Sequence, residues 1–474
     1  MLGVMKTPTC SAPGTRKVRR PFLGGKRPDG LKRQAAGQRI RRADPTRIRL
    51  GRSDTALTRY AGLLPFAQTL HALRLDAQLA SAFRDLKPGR RVVYPMASQL
   101  HLLLDAFALG ELRVFHVEAL AADPLFVHLA GGAVPSLDVL YDDLRRFDAD
   151  HLDALEALVF AHGTADLDRY APVEAHLDID TTVLPLFGRQ EGAARGPNPR
   201  YHGRPSHHPV LARCAELDTW IGARLRSGDQ SFSLGDVEIV HDLVAEMRAA
   251  LAPHKRLWVR IDAAGDYTEF LADVTTFANT AVLTKARITP ELLGAIAGHA
   301  TWRTVDVDAH GAPTVQVATI DYPRPCWRKH GLTLRVVVVR SLIRECGQRT
   351  CAWAENDYEV QAFITNAWDV AEEDLARKYN QRAGIEPLIG QGKGALGFGK
   401  ASSEAFVANE AALLLRLLAW NLLRRHVRRT APALQGWSLA WLRRALLQPG
   451  RLTHSGHRWT LHVGPTSPVA RMLN

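Results

Sequence analysis

At residue 175 the hydrophobic period of the chain changes from that of a helix to that of a strand, and this switch limits the folds open to it. Before it, Leu63, Phe66, Leu70 and Leu73 recur at helical spacing, as do Leu100, Leu103, Leu104 and Phe107. Ser136, after Pro135, is the expected N-cap of a further helix, with Asp138 in its first turn. After the switch, His176, Asp178, Asp180 and Thr182 alternate with Leu177, Ile179 and Thr181, as they do on a strand. Further strands are expected over 183–187 and 209–225, a helix over 236–251, a strand over 257–262, a helix over 267–277 and a strand over 280–285. That order implies an α/β fold with a mixed sheet and flanking helices.

Residues 300–365 are β-rich: 305–307 and 315–317 flank a turn at His310 and Gly311, and strands follow over 334–339 and 358–365. Helices return over 372–386 and 403–428, and a short helix (439–447) and a hairpin (451–463, turning at Ser455 and Gly456) close the chain. The expected organisation is a basic arm (1–55) that reads as disordered, an N-terminal helical domain (56–170), an α/β domain (171–299 and 366–430) with a β-rich insertion (300–365), and a C-terminal helix and hairpin (431–474). The helical segment suits either DNA binding or a plain scaffold.

With 474 residues, 46% of them hydrophobic, the chain can bury more than one core. Its net charge of +13 is unevenly placed. Residues 1–59 hold 16 Lys and Arg against three acids, and the remainder balances at 45 of each. Such an arm suits a polyanion such as DNA through counterion release, or is a solubilising tail or an Arg-rich presequence. Five irregularly spaced cysteines form no disulfide framework, which points to a reducing cytoplasm. The most apolar run, 413–423, contains Arg416 and Asn421 and is too short for a membrane span. The N-terminus has no apolar signal-peptide core.

Four acids stand where chemistry could be done. Asp178 and Asp180 project from one strand face, and Asp262 ends the strand 257–262, where α/β sheets often place their sites. Glu386 follows Tyr379 and Arg382 and precedes Lys393 at offsets that one continuous helix would bring to a single face. Carboxylates from two strands and a helix could bind two Mg²⁺, which prefer oxygen ligands, for in-line phosphoryl transfer. Tyr379, Arg382 and Lys393 could then hold DNA phosphates. Each acid, taken singly, reads as solvated surface. Cys326, His330, Cys346 and Cys351 have no compact zinc spacing. His207 and His208 suit packing or phosphate contact. Trp302, Trp327 and Trp353 suit core packing.

The spacing Tyr379, Arg382, Glu386, Lys393 resembles the signature of the bacterial insertion-sequence transposases with an Asp-Asp-Glu catalytic domain. Leu177 to Thr182 resembles the strand of that family's first aspartate, and Val259 to Gly265, with Asp262, that of its second. Gly188 to Gly192, followed by Gly203, Arg204, Pro205, Ser206, His207 and His208, resembles one subgroup. Glu404 to Glu410 and Leu418 to Leu422 resemble the helix after the glutamate. The resemblance runs from about residue 55 to near the C-terminus. It implies a ribonuclease H-like fold with a β-rich insertion before the glutamate helix, and a DNA-binding role for the N-terminal helices. It implies Asp180, Asp262 and Glu386 as catalytic ligands of two Mg²⁺ ions, with Mn²⁺ as a substitute, and Asp178 as the alternative first ligand. Tyr379, Arg382 and Lys393 would contact DNA, and an aromatic of the insertion can stack on a flipped base in related transposases.

The implied activity is cleavage and strand transfer at terminal inverted repeats, by a homodimer working on repeat and target DNA, in a bacterial cytoplasm at the nucleoid. A nuclease without strand transfer, and an inactive DNA-binding relic or regulator, are the alternatives. The chain departs from the family at Pro387 after Glu386, in the glycines 384, 390, 392 and 394, and at Asp266 and Tyr267 after Gly265. Pro387 is expected to strain the helix.

Overall fold

The computed structural model describes residues 56–472, except 90, 172, 197, 199–200, 300 and 343–357. The basic arm 1–55 and Cys346, Cys351 and Trp353 therefore lie outside the described residues.

The strand that starts at the period switch, β1 (Glu174–Thr181), sits inside a nine-stranded sheet. On one side β2 (Val210–Cys214) pairs antiparallel with β1, and β3 (Thr219–Arg224) pairs antiparallel with β2. On its other side lies β4 (Arg256–Ile261), parallel to β1, and then β5 (Thr280–Lys285), parallel to β4. The parallel step from β4 to β5 needs a crossover, which α-helix Thr268–Val274 supplies. The insertion does not form a sheet of its own. Its strands β6 (Arg303–Val307), β7 (Pro313–Ile320) and β8 (Arg335–Leu342), with β9 (Tyr358–Thr365), extend the same sheet in the order β3-β2-β1-β4-β5-β9-β8-β7-β6. Every pairing beyond β5 is antiparallel.

Alternation on β1 and β4 sorts side chains to two faces. Leu177, Ile179, Val259, Ile261 and Val282 share a core with Val240, Leu243, Val244 and Met247 of α1 (Leu234–Ala249). That helix starts at a reciprocal Ser233–Asp236 capping box, and Asp236 also accepts a 2.6 Å bond from the buried Arg226. On the opposite face Trp258, Ala281, Leu283 and Phe363 pack under Leu375 and Tyr379 of α2 (Glu372–Arg382).

The helix expected over 372–386 ends early, at Arg382. A link at 383–384 leads to α3 (Ile385–Gln391), which passes into a π-helical turn, Gly392–Leu396. The cause is Pro387, which has no N–H to give the carbonyl of Ala383. A restarted helix accommodates it, because the first N–H groups of a helix have no intrahelical partner in any case. Pro387 is third in α3, so the expected strain is absent.

The N-terminal helices, among them Met96–Leu109 and Ala149–Gly163, surround the long α4 (Phe406–Thr430). They share one core with it, with Trp220 and Ala223 of β3, and with Leu439, Leu442 and Leu452 near the C-terminus. Ser136 precedes the helix Leu137–Arg145 as expected, although its side chain makes no capping bond. Helix α4 is longer than the apolar run suggested, and its length and composition would suffice to cross a membrane; yet 89% of its most apolar window is buried inside the protein. Strand Ala56–Thr58 pairs with Gly450–Ser455, which forms a hairpin with Arg458–Val463.

Candidate active site

The parallel register aligns the two aspartates. Asp178 is opposite Arg260, so Asp180 and Asp262, each two residues further on, leave the C-terminal ends of neighbouring strands on the same face. Neighbouring strands run about 4.8 Å apart. Ile261 is opposite Thr284, so Lys285 follows next in the row. The strand ends are held locally: Asp180 accepts from the backbone N–H of Thr181 (2.9 Å), Asp262 from that of Ala264 (2.9 Å), and the Thr284 hydroxyl donates to the Asp262 carbonyl (2.6 Å).

Helix α2 covers this row. Arg382, 5% exposed, stands with its Nη2 3.5 Å from Asp180 Oδ1. Tyr379, 7% exposed, packs on Phe363, with the Lys285 ammonium 5.5 Å from its ring centre. Burial pushes the Asp180 carboxyl up to about 6; Arg382 opposes this, and the charges of Asp262 and Glu386 add to it. Burial likewise pushes the Tyr379 phenol up to about 12, opposed by Arg382 and reinforced by the same three carboxylates. Asp262 and Glu386 thus both act on Asp180, whose ion-pair partner is Arg382.

The structure separates the other candidates. Asp178 is fully buried, bonded to Arg260 (2.6 and 3.1 Å) and to Arg213 (3.3 Å), so its oxygens are already occupied. Asp266 is engaged by both Nη atoms of Arg324 and by the Arg287 N–H. The single face expected for Tyr379, Arg382, Glu386 and Lys393 does not form, since the break at 383–384 and the π turn shift the register. Tyr379 and Arg382 are buried against the sheet, Glu386 is exposed in the first turn of α3, and Lys393 turns to Thr182 Oγ1 (2.6 Å) and the Val183 carbonyl (3.0 Å). Lys393 therefore docks on the exit of β1, two residues beyond Asp180.

Lys285 is the site residue that sequence reasoning passed over. Its signal was present, a lysine closing the third parallel strand, but its neighbours come from strand register. His207 is buried against Phe406 and bonds the Glu191 carbonyl, a packing role. Trp327 is buried in the core, and Trp302 lies under the Arg340 guanidinium at 4.0 Å. Cys326 and His330 are both exposed.

The donor set suits a divalent ion in kind: carboxylate oxygens, in excess of the adjoining cation, with the Asp180 carboxyl raised chiefly by burial. As they stand, no three His, Cys, Asp or Glu side chains among the described residues are grouped to hold a metal ion. Asp180 and Asp262 are in register, whereas Glu386 is the exposed member.

Against known proteins, the family model described as transposase DDE domain, group 1, matches residues 41–474. The chain belongs to this family. It is therefore an enzyme, a transposase, and its sheet and helices make up a mixed α/β fold. No curated protein matches the transposase in sequence. Among solved structures, it is similar to a piggyBac transposase in a synaptic complex with hairpin DNA, determined by cryo-electron microscopy. The two share 12% identity over 84% of this chain and 82% of that one, with a TM-score of 0.45.

Proposed function

We propose that this transposase cleaves DNA at the terminal inverted repeats of an insertion sequence and joins the freed 3′ ends to target DNA, with Asp180, Asp262 and Glu386 as its catalytic acids. The observation that carries the reading is the row of Asp180 and Asp262 on adjacent parallel strand ends, under Arg382 and Tyr379, in a family defined by its DDE domain. We read strands β3-β2-β1-β4-β5, two antiparallel pairings followed by two parallel ones, as a ribonuclease H-like core, with β6 to β9 as the insertion. The family subgroup is the one with the Tyr-Arg-Glu-Lys signature. The N-terminal helices serve as the DNA-binding domain, a homodimer synapses two ends, and the enzyme works in the bacterial cytoplasm at the nucleoid.

Asp180 and Asp262 would hold divalent ions, Mg²⁺ or Mn²⁺, with Glu386 closing on them from the start of α3. Such ions, when bound, activate an attacking oxygen and stabilise a leaving one. The chain itself supplies position. Arg382, fixed beside Asp180, is placed to turn from that carboxylate to a DNA phosphate. Tyr379 keeps its proton at neutral pH and so can donate a hydrogen bond to a phosphate oxygen. Lys393 holds the chain after Asp180 in place through Thr182 and Val183.

The test is cleavage of a labelled duplex carrying the terminal repeat, with Mg²⁺ and with EDTA. Asp180→Asn, Asp262→Asn and Glu386→Gln are each expected to lower the rate by at least ~1,000-fold while duplex binding persists, since metal-borne charge stabilisation contributes several kcal/mol. Wild-type binding without cutting would instead mark a DNA-binding relic.

A further inference from the structure

The last 64 residues, 411–474, contain ten arginines and no aspartate or glutamate, whereas 60–410 holds 35 Lys and Arg against 45 acids. Much of that charge is structural. Arg416 and Arg424 are buried, and Arg443 bonds backbone carbonyls of Phe107, Ala108 and Ala395. The C-terminal hairpin is different.

Register sorts the hairpin into two faces, because directly opposed residues share a side. Leu452 opposes Leu461, and this face packs on the helical core. The other face carries Arg451 opposite His462, Thr453 opposite Thr460, and Ser455 opposite Arg458. It is a solvent face of two guanidiniums, an imidazole and three hydroxyls. Among the described residues neither Arg451 nor Arg458 has a carboxylate partner, and both are exposed. The two arginines stand at opposite ends of the face, four residues apart along the ladder, or roughly 14 Å at ~3.4 Å per residue. That matches the ~12 Å width of a DNA major groove, so each can meet a different phosphate strand. The neighbouring strand of the same small sheet is Ala56–Thr58, the point where residues 1–55 join the described chain.

We propose that this face is a second DNA-binding surface, which grips the phosphodiester backbone of a duplex apart from the carboxylate site. The inference rests on the reading of the chain as acting on DNA. Phosphate contacts of this kind come from arginines and hydroxyls and carry no sequence information.

The test uses the full chain in EDTA, so that no cleavage occurs, and reads anisotropy of a labelled duplex of arbitrary sequence over a salt series. Arg451→Ser/Arg458→Ser is expected to weaken binding at least ~10-fold and to flatten the slope of log K against log salt by about 1.8, at about 0.9 per phosphate contact. Arg451→Lys/Arg458→Lys should retain most of the slope. Arg328→Ser/Lys329→Ser, an equal charge loss at exposed sites elsewhere, should leave it unchanged. An unchanged slope in the hairpin variant, or equal flattening in both serine variants, overturns the proposal. A changed oligomeric state with unchanged duplex binding also overturns it, and marks the face as a protein interface. Failure of the wild type to bind any duplex would instead count against the transposition reading itself.

Discussion

Asp178 and Asp180 are two residues apart on one strand face and meet opposite electrostatic settings. Arg260 and Arg213 bracket Asp178, and its removal would leave the buried Arg260 guanidinium with no carboxylate partner, while Arg213 keeps Asp218. Asp178→Ala should therefore cost about 3–5 kcal/mol in urea unfolding. Burial, with the charges of Asp262 and Glu386 added, pushes the Asp180 carboxyl up to about 6, from the ordinary 3.8. The folded protein then binds that proton more tightly than the unfolded chain does. Stability is lost as pH rises from about 4 through 6, and the penalty is fully present at neutral pH. Without divalent ions, Asp180→Asn should raise stability at pH 7.5 by up to roughly 3 kcal/mol and leave it unchanged at pH 3.5, as read by thermal melts at the two pH values. A destabilised Asp180→Asn at neutral pH would contradict the buried, acid-rich setting of this carboxyl. The sequence placed both acids on one face but could not rank them by burial, because the arginines that occupy Asp178 come from β2 and β4.

Helix α2 and its continuation show how one residue redirects an element. The offsets of Tyr379, Arg382, Glu386 and Lys393 describe a shared face only if the helix is unbroken, and Pro387 breaks it at 383–384. The break places Glu386 in the first turn of α3, where an anionic side chain is favoured by the helix dipole. Proline at this third position forfeits no helix bond, so Pro387→Ala should change stability by less than about 1 kcal/mol and retain cleavage. A large loss of either would mean that the bend itself positions Glu386. The β-rich insertion was legible as strands because alternation is local. Its union with the main sheet was not, since the β5–β9 pairing joins Leu283 to Thr365 across some eighty residues.

At the scale of the molecule, the helices and the sheet are joined through α4. Asn421, fully buried, accepts from the Trp220 N–H (2.9 Å) and donates to the carbonyls of Trp220 (2.6 Å) and Val159 (2.9 Å). It ties edge strand β3 and helix Ala149–Gly163 to one side chain. Gly163 permits the approach, since a Cβ there would lie 2.3 Å from the Trp220 carbonyl. Asn421→Ala should cost at least about 2 kcal/mol, as buried backbone groups lose their partners. It should also perturb the near-ultraviolet dichroism of Trp220 and Trp420, which pack edge to face at 5.8 Å. A change below about 0.5 kcal/mol would contradict that role. The sequence by itself determined the mixed α/β class and most of the order of the strands and helices, and it nominated Asp180, Asp262 and Glu386 as candidate acids, because hydrophobic period and short motifs are properties of neighbouring residues. Only the tertiary structure decided that Asp178 is occupied, that Lys285 joins the aspartate row, that Lys393 turns to β1, and that strand Ala56–Thr58 pairs with the C-terminal hairpin. Each of these depends on strand register and long-range packing, and no local window contains them.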